Sequence, residues 1–144
     1  MTKRGITPRQ RDILLIPIPF TDLQTTKRRP VLVLSNDTYN RTSEDILVAA
    51  MTSNLQSKFF GITVDPRDVE VGVLKRTSLI RADKLYTLSK RIILKKFGRL
   101  TAERYGAVVE VIKKLIEWFN PSQHRTAKRY DNLREILGRP RENG

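Results

Sequence analysis

Arginines, threonines and isolated carboxylates are the side chains that could do chemistry in this sequence, and one segment stands out. Pro19-Phe20-Thr21-Asp22 and a polar loop lead to Lys27-Arg28-Arg29-Pro30, which runs directly into the apolar Val31-Leu32-Val33-Leu34. An arginine at the mouth of a strand can point into a cleft. Its rigid fork makes paired charge-assisted hydrogen bonds to a phosphate and stays protonated at any physiological pH. A solvated basic turn is the alternative reading of the triplet.

Other chemistries are poorly provided for. There is no cysteine, which excludes disulfides, thiolate metal sites and a cysteine nucleophile. The one histidine, His124, sits in a polar C-terminal stretch, so acid–base catalysis by two histidines is impossible. Neither a histidine pair nor an acidic cluster suggests metal ligands, so a metal-dependent nuclease is not expected. None of the seven glycines falls in phosphate-loop spacing.

The charge balance points to a polyanion. Lys and Arg number 28 against 15 Asp and Glu, a net +13 that favours phosphate neutralisation and counterion release. Residues 120–144 carry six basic and three acidic residues, so +10 belongs to residues 1–119. The N-terminal stretch is polar and basic, and no run approaches the roughly 18 apolar residues of a membrane span. A cytoplasmic protein without a membrane partner is expected. Asn36-Asp37-Thr38 and Asn40-Arg41-Thr42 fit a glycosylation pattern that such a protein has no route to using.

The elements that would hold these residues are mostly short strands. Ile13 to Ile18, Val31 to Leu34 and Ile46 to Met51 are apolar runs closed by polar or proline turns; Gly61 to Val64, Gly72 to Ile80, Lys84 to Leu88 and Ile92 to Phe97 are further candidates. Six or seven such strands suggest a small closed or nearly closed barrel, a mainly β fold with some α. The period changes after Leu100. Tyr105, Val108, Val109, Ile112, Leu115, Ile116 and Phe119 lie on one face of a helix over 101–119, with Thr101 as N-cap and Pro121 beyond its end. The expected organisation is one domain, 1–119, followed by a basic tail, 120–144, that forms a short helix around Tyr130 to Leu137 or is disordered.

Four fragments in order carry a resemblance: Arg11-Asp12-Ile13 to Asp22, then Lys27 to Asn36, then Val48-Ala49-Ala50-Met51-Thr52-Ser53, then Gly72-Val73-Leu74 to Ile80-Arg81-Ala82-Asp83. With the amphipathic helix after them, they resemble the MazF/PemK family of toxin–antitoxin ribonucleases over roughly residues 10–119. The resemblance implies an SH3-like barrel that forms a homodimer, cleaves single-stranded RNA at short sequences, and is restrained by a cognate acidic antitoxin; it implies no cofactor. On this chain Arg29 and Thr52 match the pair most associated with catalysis, and Arg81 and Asp83 match an arginine and an acid that some members use as acid and base. Arg11 stands where the family usually has glycine, which suggests a different turn into the first strand.

The implied reaction is attack of a ribose 2′-hydroxyl on its neighbouring phosphate, which only RNA can undergo. Between Lys75 and Arg99 nine basic residues face one acid, a density that reads as an RNA-tracking groove with Tyr86 and Phe97 for base stacking. The expected RNA-binding residues are Lys27, Arg28, Ser53, Lys75, Arg76, Lys90 and Arg91. Two other readings share the architecture: a nucleic-acid-binding barrel that does not cut, and a gyrase-inhibiting toxin similar to CcdB.

Overall fold

The computed structural model describes residues 6–19, 26–56 and 60–118. Seven strands form one antiparallel sheet: β1 (Asp12–Pro19), β2 (Thr26–Val33), β3 (Asp45–Thr52), β4 (Gly61–Val64), β5 (Val69–Gly72), β6 (Ser78–Ser89) and β7 (Lys95–Leu100). Their spatial order is β4-β6-β3-β2-β1-β7-β5. Laid flat, six gaps of about 4.8 Å would separate the two edge strands by about 29 Å. Yet β4 and β5 follow one another in sequence, joined only through the 3-10 turn Pro66–Asp68, and such a link reaches about 17 Å at most. The sheet therefore has to curl into a half-barrel, as the strand count and turn spacing led one to expect.

The curl gives the sheet two faces with separate cores. On one, Ile13, Leu32, Ala49, Met51, Ile62, Val64 and Ile80 pack with Val108 and Val111 of α2 (Ala102–Ile116). On the other, Leu14, Ile16, Val31, Val33, Ile46 and Val48 are covered by Leu88, Ile92 and Ile93. Both sets alternate along β1, β2 and β3, which is the period of a strand buried on each side.

Helix α2 starts where its cap was expected: the Thr101 side chain accepts a hydrogen bond from the Arg104 amide. It ends at Ile116, earlier than the 101–119 expected. The buried stripe also shifts, since Val111 is fully buried and Ile116 is 75% exposed. Burying Val108 and Val111 contributes about 1.5–3 kcal/mol each, and the buried Arg104 ties the helix to β4 through a 2.8 Å bond from Nε to the Thr63 carbonyl.

Three local elements differ from expectation. The polar stretch after Ser35 forms a helix, α1 (Asp37–Thr42): Asn36 caps it by accepting from the Tyr39 amide, and Asp37 sits in the positive first turn. Residues 73–77 are not strand, while Ser78 to Ser89 is a single strand with a register shift opposite Ala49/Ala50. Lys90–Ile92 is a 3-10 turn, so β7 begins only at Lys95.

Arg11 also departs from expectation. Its φ is +80, the left-handed conformation a glycine would take without cost. The turn is thus one that suits glycine, made by an arginine whose Nη1 bonds the Leu100 carbonyl at 2.8 Å and Glu70 at 3.1 Å.

Candidate active site

Pro30 shapes the site first. It has no N–H to give a neighbouring strand, and the β2–β3 ladder stops one residue after it, at Val31 opposite Ala50. Two residues beyond that last pair stand Arg29 on β2 and Thr52 on β3. Residues directly opposite in an antiparallel pair share a face, and so do residues two apart on one strand. Arg29 pairs with Ile16, Val31 with Ala50, and Ala50 in turn with Arg81 of β6. Arg29, Thr52 and Arg81 therefore stand on one face, the one whose core is covered by Ile92 and Ile93, on three adjacent strands. Arg81 lies one strand over and two residues along from Thr52, a diagonal of about 7–8 Å.

The Arg81 side chain forms a two-pronged ion pair with Asp83, Nε to Oδ1 at 2.8 Å and Nη2 to Oδ2 at 2.7 Å. Both side chains are partly exposed, at 24% and 29%. The hydrogen bonds from Arg81 hold the Asp83 carboxyl below the usual carboxylate range against an opposing effect of burial. The same bonds hold Arg81 above its ordinary value. In this state the pair is fully charged, with each member committed to the other.

Thr52 is half-buried, and its hydroxyl accepts from the Asn54 amide at 3.1 Å. That bond leaves the hydroxyl hydrogen to donate to a substrate oxygen. Arg29 is half-buried on its strand.

The other expected residues divide into two groups. Exposed Lys27 and Arg28 open β2, exposed Ser53 follows β3, and exposed Lys75 and Arg76 lead into β6. Because β3 runs antiparallel to both β2 and β6, all five lie at the Thr52 end of the barrel. Lys90 and Arg91 follow the other end of β6, where Ser89 pairs with Asp45 at the start of β3. Seven residues of strand, about 23 Å, separate them from Thr52. Lys90 is structural there, its Nζ bonding the Asn40 carbonyl at 2.6 Å, and Arg91 pairs with Glu44.

The two aromatics also part company: Phe97 packs against the helix-side core, whereas Tyr86 is 43% exposed. His124 lies outside the described residues. Among the described residues no group of His, Cys, Asp or Glu is placed to hold a metal ion, and no helix is long and apolar enough to cross a membrane.

What the sequence did not disclose is Asp12. It is fully buried and ties the first strand to β7 through Arg99 at 3.0 Å and Lys96 at 3.3 Å. Two of the nine basic residues between 75 and 99 thus neutralise a buried acid, so the density of that stretch overstates the charge offered to RNA.

The family model of PemK-like, MazF-like toxins of type II toxin–antitoxin systems matches residues 9–116. The chain belongs to this family. The match spans every described strand and α2, which places the MazF/PemK pattern on the whole half-barrel. A comparison with curated protein sequences finds no match. Among solved structures, an endoribonuclease from mycobacterial species is 18% identical, with a TM-score of 0.62 over 81% of this chain and 100% of that one. An endoribonuclease in complex with its cognate antitoxin, also mycobacterial, is 17% identical, with a TM-score of 0.62 over 80% and 98%. A MazE–MazF structure from Deinococcus radiodurans is 19% identical, with a TM-score of 0.64 over 79% and 100%. At these identities the likeness is one of fold.

Proposed function

We propose that this MazF/PemK-family toxin is a sequence-specific endoribonuclease that cuts single-stranded RNA without a metal, leaving a cyclic phosphate and a 5′-hydroxyl. The observation that carries the reading is the meeting of Arg29, Thr52 and Arg81 on one sheet face, where Pro30 ends the β2–β3 ladder. These three residues are 23 and 29 positions apart in sequence, and their shared face on adjacent strands supports a common site for one phosphate. The net charge of +13 and the five polar or basic residues at the same end suit a polyanion. The mycobacterial endoribonuclease and its antitoxin complex share the fold, which supports an RNA substrate and an antitoxin partner for this chain.

In this reading Arg29 places its fork on the phosphate and stabilises the charge that builds on the phosphorane and on the departing 5′-oxygen. Thr52 donates its hydroxyl hydrogen to a phosphate oxygen. Asp83 accepts the 2′-proton, and the 5′-oxygen takes a proton from solvent after the P–O bond breaks. A carboxylate held by Arg81 is a weak base. The entering phosphate competes with Asp83 for the Arg81 fork, and the transfer of that fork raises the basicity of Asp83 when substrate is present. A neutralising antitoxin with an acidic segment would compete for the same arginines, and a homodimer is the expected assembly.

Purified protein incubated with a long RNA in EDTA tests the activity. The products should carry cyclic phosphates, and Arg29→Ala should remain folded while losing about 10²–10³ in rate. Cutting by Arg29→Ala near the parent rate would remove Arg29 from the site.

A further inference from the structure

Tyr86 has no part in the chemistry above, yet the strand register sets it beside the residues that do. It pairs with Val48 on β3, and Arg81 pairs with Ala50 two residues along the same strand. Tyr86, Arg81 and Thr52 therefore share one face. The register shift within β6 opposite Ala49/Ala50 takes up residues 82–84, which brings Tyr86 close to Arg81 despite the five positions between them. In a regular strand those five positions would put the two side chains on opposite faces and about 17 Å apart. The bulge brings them together on the same face.

The surroundings of Tyr86 point in the same direction. The large aliphatic residues at the centre of this face are fully or almost fully buried, Ile16 at 2% and Val31, Ile46 and Val48 at 0%, while Ala50 and Leu88 beside them are partly buried. Tyr86 is 43% exposed, an aromatic ring left open to solvent on an otherwise covered floor. Tyr86 lies near enough to Arg81 for the two groups to feel each other electrostatically.

We propose that Tyr86 is a stacking platform for one nucleobase of the bound RNA, next to the phosphate held by Arg29, Thr52 and Arg81, and so a positioning and specificity-determining residue. This rests on the ribonuclease reading above. Val48 and Thr52 are four residues apart, about 13 Å along β3, which suits a short stretch of extended ribonucleotides with the phosphate at one end and a base at the other. Every base has a π-face, so the platform sets the register of the strand, and preference among bases follows from how strongly each one stacks.

The test uses the full chain and a short single-stranded RNA containing a cleavage site mapped on a long transcript. The attacking 2′-hydroxyl is methylated to block cutting, and 2-aminopurine replaces one nucleotide at a time on either side of the site. Fluorescence of the parent protein's complexes should be quenched at one position. Tyr86→Phe should keep that quenching. Tyr86→Leu, which keeps apolar bulk but has no ring, should abolish it and raise KM for the unmodified RNA by about 5- to 150-fold, with the loss in KM and not in kcat. Circular dichroism and the thermal midpoint establish that both variants fold. Equal KM and equal quenching in Tyr86→Leu would overturn the proposal, as would unchanged RNA binding accompanied by weakened self-association, which would make Tyr86 a protein contact. Failure of the parent protein to cut any RNA would overturn the ribonuclease reading itself.

Discussion

Replacing Arg11 separates backbone strain from side-chain contact at a single position. Its φ of +80 is locked from both sides, because its amide donates to the Val33 carbonyl at 3.0 Å and its carbonyl accepts from the Leu100 amide at 2.8 Å. The turn cannot relax without breaking the junction of β1, β2 and β7. Left-handed backbone costs a residue with a Cβ about 1–2 kcal/mol. Against that, the charged bond from Nη1 to the Leu100 carbonyl contributes about 1.5–3 kcal/mol. The pair with Glu70, whose side chain is 40% exposed, adds about 0–1 kcal/mol. Arg11→Ala loses both contacts and keeps the strain, so it should destabilise by about 2 kcal/mol. Arg11→Gly loses the same contacts but relieves the strain, offset in part by the greater freedom of glycine in the unfolded chain. Glycine should therefore be the more stable variant by about 1 kcal/mol. Urea unfolding at neutral pH measures both differences. An alanine variant as stable as the glycine variant, or more so, would refute the assignment of strain to this residue.

Other expected outcomes are as follows. Asp83→Asn should lower stability at neutral pH. Since the folded pKa of Asp83 lies below the ordinary 3.8, the contribution is present above that range and is lost as pH falls through the folded value. Thermal melts across that interval should thus show the gap between variant and parent closing in acid, and a gap independent of pH would remove the Arg81 pair as its source. Gly72→Ala should destabilise by about 3 kcal/mol or more, because φ is +85 and a Cβ would lie 2.0 Å from the Phe97 carbonyl oxygen; chemical unfolding would detect it, and a neutral result would mean that β5 and β7 can separate freely. Asn36→Ala should cost about 1 kcal/mol through loss of the α1 cap, with faster amide exchange at Tyr39 as the local sign. Asp12→Ala, which removes the partner of both Arg99 and Lys96, should cost about 3–5 kcal/mol, read as a lower urea midpoint.

Much of the fold was legible locally. Apolar runs closed by proline or polar turns located β1, β2, β3 and β4, and the three-and-four spacing after Leu100 located α2 and its Thr101 cap. These features were readable because burial imposes a period of two on a strand and 3.6 on a helix, whatever the rest of the chain does. The helix α1 was missed although its signal was present: Asn36 followed by Asp37 is a cap and a first-turn acid, but the segment lacks the apolar stripe that draws attention to longer helices. Arg11 was misread because a glycine-like backbone conformation can be held by side-chain bonds to Leu100 and Glu70, which are remote in sequence. Lys90, Lys96 and Arg99 counted as surface charge until their partners Asn40 and Asp12 were located.

By itself the sequence determined the residue types available for chemistry, the excess of positive charge, and a small barrel followed by a helix; the order of its motifs was enough to indicate the MazF/PemK pattern. Only the tertiary structure decided that Arg29, Thr52 and Arg81 share one face of adjacent strands, that Lys90 and Arg91 do not join them, and that Tyr86 comes onto that face while Phe97 packs against the helix-side core. The physical reason is that strand order, register and bulges are set by pairings between distant segments. A shift of one residue in any ladder would turn a whole strand's side chains to the other face, and no local pattern records which ladder forms.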